Sequence, residues 1–112
     1  MLASSLSLLR RVLPVAAIIV AAGLSPPAVA KEVTVSISNF SFTPAKAEVA
    51  VGDTVTFINA DDTIHSIVAD DGSFHSDGLD TNDKASFTFA KPGTVDYHCG
   101  LHPFMKGEIV VK

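Results

Sequence analysis

From Lys31 to Lys112 the chain alternates apolar and polar residues with a period of two, and no stretch of it carries a convincing apolar stripe at helical spacing. Val33, Val35 and Ile37 alternate with Glu32, Thr34 and Ser36, and Val55 and Phe57 with Thr54 and Thr56. Ala85, Phe87 and Phe89 alternate with Lys84, Ser86 and Thr88, and Ile109 and Val111 with Glu108 and Lys112. Successive side chains of a strand point to opposite faces, so each run reads as a half-buried antiparallel strand. Turn signals separate the runs: Gly52-Asp53, Ala60-Asp61-Asp62, Asp70-Asp71-Gly72, Ser76-Asp77-Gly78 and Pro92-Gly93. Short strands at this spacing predict an all-β domain, an antiparallel β-sandwich or small barrel, with residues 70–83 as an irregular surface excursion.

Residues 1–30 read as an address. Arg10 and Arg11 form a positive n-region, Val12 to Leu24 is uncharged and mostly aliphatic, and Ala28-Val29-Ala30 is a small-residue cleavage site before Lys31. The uncharged run to Ala30 approaches the length of a membrane anchor, but Pro14, Pro26, Pro27 and the Ala-Val-Ala ending favour a cleavable secretory signal peptide. The expected division is therefore 1–30 signal peptide and 31–112 a single domain in the periplasm, with no membrane span once the leader is removed.

So small a domain is marginal for a core with no disulfide, metal or partner to support it. Cys99 is the only cysteine, which rules out an intramolecular disulfide. A lone thiol in an oxidising compartment is either a buried inert residue or a metal thiolate, and composition alone leaves both open. The formal net charge is −4, and the only arginines lie in the leader, so the domain itself is more acidic still. With no basic cluster, it is not a nucleic-acid binder.

The stretch Cys99-Gly-Leu-His102-Pro-Phe-Met105 sets a thiol, an imidazole and a thioether at steps of three. In the strand leading to it, alternation sends Val95, Tyr97 and Cys99 inward and Thr94, Asp96 and His98 outward, which makes His98 a surface histidine. Gly100, Leu101 and Pro103 force a turn that can fold His102 and Met105 back over Cys99. A second imidazole must come from elsewhere, and His65, among apolar neighbours after the Ala60-Asp61-Asp62 turn, is the leading candidate. Its rival His75 sits in polar, glycine-flanked surroundings that suit solvent. Two imidazoles, a thiolate and a weak thioether match the trigonal His₂Cys site with a long axial Met used by blue copper, whereas zinc has little use for the thioether.

The segment Tyr97 to Gly107 resembles the ligand loop of the amicyanins, within the plastocyanin-like cupredoxins. Phe40-Ser41-Phe42-Thr43-Pro44, Val51 to Val55 and Asn59 to His65 are also similar to that family in order and spacing. The resemblance implies a Greek-key β-sandwich carrying one type 1 copper, with His65, Cys99 and His102 as equatorial ligands and Met105 as the axial one. It implies a non-enzymatic, monomeric electron carrier between periplasmic donor and acceptor proteins of dehydrogenase, cytochrome or oxidase type. Docking is expected to be transient and near Leu101, Pro103 and Phe104. A periplasmic copper-binding or delivery protein on the same fold is the alternative, disfavoured because Met105 is the only methionine besides Met1. Ser66 stands where the family often has an asparagine that braces the ligand loop, and a hydroxyl can supply part of that bracing.

Overall fold

The computed structural model describes residues 29–112, so the expected signal peptide lies outside the described residues except for Val29 and Ala30. Eight strands form two four-stranded sheets: β1 Glu32–Ser38, β2 Ser41–Thr43, β3 Lys46–Val49, β4 Thr54–Asn59, β5 Val68–Ala69, β6 Lys84–Thr88, β7 Gly93–His98 and β8 Lys106–Val111. One sheet has the order β2-β1-β4-β6 and the other β3-β8-β7-β5. Most of the alternating residues behave as the sequence predicts; Thr56 is the exception, buried beside Val55 and Phe57 with its hydroxyl donating to Glu32 Oε2 at 2.7 Å. Val35, Ile37, Val55, Phe57, Ile109 and Val111 are buried between the sheets, while Thr34, Lys84, Ser86 and Thr88 face solvent.

Strand direction differs in part from a purely antiparallel reading. β1 runs parallel to β4, pairing Val35 with Phe57, and β3 runs parallel to β8, pairing Ala47 with Ile109. Alternation reports which face of a strand is covered; it carries no information on which way the neighbour runs. The short strands β2, β3 and β5 offer one or two buried residues each, Phe42 in β2 and Ala47 and Val49 in β3 among them, too few for a periodic signal.

At the centre of the core, Phe42, Phe57 and Tyr97 meet edge to face, with ring centroids 4.8, 5.2 and 6.2 Å apart. Such pairs add roughly 0.5–1.5 kcal/mol each beyond the burial of their area. Tyr97 lies over the α-carbon of Gly107 on the neighbouring strand, where any side chain would meet its ring, so glycine is required at that position. Packing thus fixes β7 against β8 two residues before Cys99, and the loop joining these strands inherits a rigid base.

Candidate metal centre

Two segments converge at one end of the sandwich. β5 pairs antiparallel with β7 in a register that sets Val68 opposite His98, and extending it by two residues brings Ser66 opposite Gly100. Ser66 N–H then points at Cys99 Sγ at 3.4 Å, and Gly100 N–H donates to Ser66 Oγ at 3.0 Å. Gly100 has no room for a side chain, because a Cβ there would lie 2.7 Å from Ser66 Oγ. The serine hydroxyl does brace the loop. On its other side His65 exchanges main-chain hydrogen bonds with Leu79, at 3.1 and 2.6 Å, and these pin the histidine's backbone between two neighbours.

The steps of three in the sequence become two successive turns. His102 N–H donates to Cys99 C=O at 3.2 Å, Met105 N–H to His102 C=O at 2.9 Å, and Cys99 N–H to Met105 C=O at 3.0 Å. Each turn sets its corner residues close together, and the last bond closes the loop on itself. Cys99, His102 and Met105 are therefore tied together by main-chain bonds that use none of their donor atoms. Cys99 and Met105 are buried and His102 is half-buried.

The outcome is a compact donor set. His65 Nδ1 lies 3.7 Å and His102 Nδ1 3.6 Å from Cys99 Sγ, and the three ligand atoms all lie within 4.8 Å of one another. A metal about 2.0 Å from nitrogen and about 2.3 Å from sulfur, with angles between tetrahedral and trigonal, needs nitrogen and sulfur roughly 3.5–3.8 Å apart. Both nitrogen–sulfur separations match such an ion. A single thiolate, two imidazoles and a buried methionine in the same loop suit copper better than zinc, which in structural sites takes more cysteine.

The remaining histidines stay apart from the group, as the strand face of His98 and the polar surroundings of His75 predict. His98 turns outward and its Nδ1 meets Asp70 Oδ1 at 2.6 Å, while His75 is exposed on the excursion. Sequence reasoning missed two residues that shape the site. Phe40 packs edge-on against both His65 and His102, each at 5.3 Å between centroids, and stacks on Phe104 at 6.5 Å. Asp61 Oδ2 lies 2.8 Å from His65 Nε2. The carboxyl is held below the usual carboxylate range, first by the Phe40 N–H, with the Asn39 N–H and His65 adding to it and burial opposing. Its place four residues before His65 was the only available signal. Phe40 stood in a stretch similar to the family, but nothing local set its ring against the histidines, since both Asn39 and Phe40 adopt left-handed backbone, at φ of 56° and 57°, which phenylalanine seldom enters.

A family model described as a cupredoxin-like domain matches residues 11–111. Amicyanin of Paracoccus denitrificans is 34% identical over 85 residues, which cover 71% of this chain and 65% of the relative, so the chain spans just under two thirds of that protein's length. A solved structure of an oxidized amicyanin mutant superposes with a TM-score of 0.69 at 33% identity, covering 71% of this chain and 81% of the other. A copper-containing nitrite reductase from Thermus scotoductus gives a TM-score of 0.68 at 36% identity, but the match covers only 22% of that chain against 72% of this one. By sequence, by fold and by the grouping of His65, Cys99 and His102, this chain belongs to the cupredoxin-like family.

Proposed function

We propose that the protein is a periplasmic electron carrier holding one type 1 copper, with His65, Cys99 and His102 as equatorial ligands and Met105 as the axial one. The observation that carries this reading is the convergence of two imidazole Nδ1 atoms on one buried thiol, at 3.6 and 3.7 Å, in a loop closed by its own main chain. Bound copper supplies a one-electron couple between its cuprous and cupric states.

The chain's own part is to keep the donor atoms where they are in either charge state. The turn bonds from Cys99 to Met105 and the Ser66 contacts to Cys99 and Gly100 hold the backbone, so a change of charge finds little to rearrange. Ser66 N–H, aimed at Cys99 Sγ, stabilises negative charge on the sulfur. Phe40 and Phe104 flank the half-buried His102 ring and keep water from it.

The same residues supply a docking face. Leu101 is 51% and Phe104 70% exposed, and with Pro103 and Phe40 they form an apolar rim around His102, the shortest covalent route from the donor group to the surface. A small apolar patch suits a brief encounter, since small interfaces dissociate fast enough for turnover. Donor and acceptor proteins of dehydrogenase, cytochrome or oxidase type are the partners this implies, meeting a monomer. A carrier is favoured over an oxidase or reductase because those need a second copper centre, and His65, Cys99 and His102 form the one such cluster of His, Cys, Asp and Glu among the described residues.

The test is colour. Adding Cu(II) to the purified domain should produce an intense blue or green band from the copper–thiolate bond, bleached by ascorbate and restored by an oxidant. Cys99→Ala should abolish the band and His98→Ala should keep it. A colourless Cu(II) adduct of the unmodified domain would overturn the reading.

A further inference from the structure

Asp61 has no part in the ligand set, yet its carboxylate is the most heavily constrained acidic group near it. Oδ1 accepts the Asn39 N–H at 2.6 Å; Oδ2 accepts the Phe40 N–H at 3.0 Å and faces His65 Nε2 at 2.8 Å. From the other side the Asp61 N–H donates to Asn59 Oδ1 at 2.9 Å, and its C=O accepts the Thr81 hydroxyl at 2.6 Å. Asn59 is itself fully buried and donates to the carbonyls of Thr63 and Leu79, at 2.8 and 2.7 Å. The His65 side chain is 0% and the Asp61 side chain 13% exposed, so the contact between them is shielded from water.

A carboxylate only accepts hydrogen bonds, so the nitrogen facing it must be the one that carries the proton. That leaves the lone pair on Nδ1, the atom 3.7 Å from Cys99 Sγ. His102 is steadied differently, by the edges of Phe40 and Phe104, with centroids at 5.3 and 6.1 Å. One imidazole of the donor set is thus backed by a fixed negative charge and the other by aromatic rings.

We propose that Asp61 is a positioning residue for the metal: it fixes the Nε2–H tautomer and ring orientation of His65, and its charge biases the site toward the more highly charged oxidation state. The inference rests on the reading that the site takes copper. A carboxylate behind a ligating imidazole raises the basicity of that ligand, and loss of such a partner typically costs about 10–100-fold in metal affinity. The doubly charged ion gains more from the carboxylate than the singly charged one, so removing the charge should raise the reduction potential.

The experiment uses the copper-loaded protein. Asp61→Asn should lower the ratio of Cu(II) to Cu(I) affinity by about tenfold, read as a potential higher by about 59 mV for one electron. Asp61→Glu should recover at least half of that shift, and Asp62→Asn, which removes the same charge from an exposed neighbour, should move the potential far less. A second measurement needs no variant. In the cuprous, diamagnetic form of the unmodified protein, the His65 ring N–H proton should resonate downfield of that of His102, as a bond to a carboxylate requires and burial alone does not. A blue protein whose potential is unmoved by Asp61→Asn would overturn this inference and leave the copper reading standing. So would a His65 ring proton at or upfield of that of His102. Absence of colour in the unmodified protein would overturn both.

Discussion

The bond from Gly100 N–H to Ser66 Oγ can be weighed by a pair of substitutions that each do harm and together do less. Ser66→Ala leaves the Gly100 N–H without the acceptor it has at 3.0 Å, at a cost of about 1 kcal/mol, rising to about 3 if no water replaces the hydroxyl. Gly100→Ala places a methyl 2.7 Å from Ser66 Oγ and 3.1 Å from Val68 Cγ2. Overpacking of this kind costs about 1–3 kcal/mol. In the double variant the hydroxyl is gone, the nearest remaining atom is Val68 Cγ2 at 3.1 Å, and the new methyl occupies space the serine oxygen has left. The pair should therefore cost little more than Ser66→Ala alone, a coupling of about 1–2 kcal/mol within the usual range for touching residues. For a domain of this size each kcal/mol moves the melting temperature by about 4–8 °C. The assay is urea unfolding of the metal-free protein, because a bound metal adds a concentration-dependent term of its own. Additivity of the two single changes to within about 0.5 kcal/mol would show that Gly100 and Ser66 do not meet as described.

Met105→Leu should keep copper and colour while raising the potential, since losing a weak axial donor destabilises the cupric ion more than the cuprous one; an unchanged or lowered potential in a redox titration would count against axial ligation. Leu101→Lys should leave the visible spectrum nearly intact but slow electron transfer to a native partner in stopped-flow mixing, while Lys84→Ala on the exposed side of β6 does neither. Equal rates for Leu101→Lys and the unmodified protein across a range of salt would rule out this face as the exit. Tyr97→Phe should stabilise the fold: Tyr97 Oη is buried with no hydrogen-bond partner among the described residues, and an unsatisfied buried group costs about 1–3 kcal/mol. A fall in melting temperature would mean that the hydroxyl does find a partner.

What could be read from the sequence follows the range of the contacts involved. Alternation in β7 put Cys99 inward and His98 outward because each step depends only on the neighbouring residue, and the closed loop to Met105 was legible for the same local reason. The direction of β4 beside β1 is decided by connections that cross from sheet to sheet, and no local period records it. Asp61 and Phe40 lie 21 residues apart and meet only because β1 and β4 are neighbours, so their bond was invisible until the pairing was known. Ser66 falls between these cases. The hydroxyl could be named as a possible brace, but its bond to Gly100 follows from the register of Val68 against His98, a contact between residues 34 positions apart in the chain for the bonded pair.

The ties at this end of the sandwich share a property that bears on how the centre works. Asp61 links the turn between β1 and β2 to the His65 segment, Ser66 links that segment to Gly100, and the Cys99 to Met105 loop closes on its own main chain. Apart from the Asp61 bond to the outer nitrogen of His65 and the Ser66 N–H to sulfur, these bonds run between backbone groups and side chains that would not touch the metal. The two Nδ1 atoms are therefore held 3.6 and 3.7 Å from the thiol sulfur by hydrogen bonds that a bound ion would not have to displace. On the proposal that the site takes copper, a scaffold held in this way offers both oxidation states the same donor positions, so little of the chain has to move when the ion gains or loses an electron.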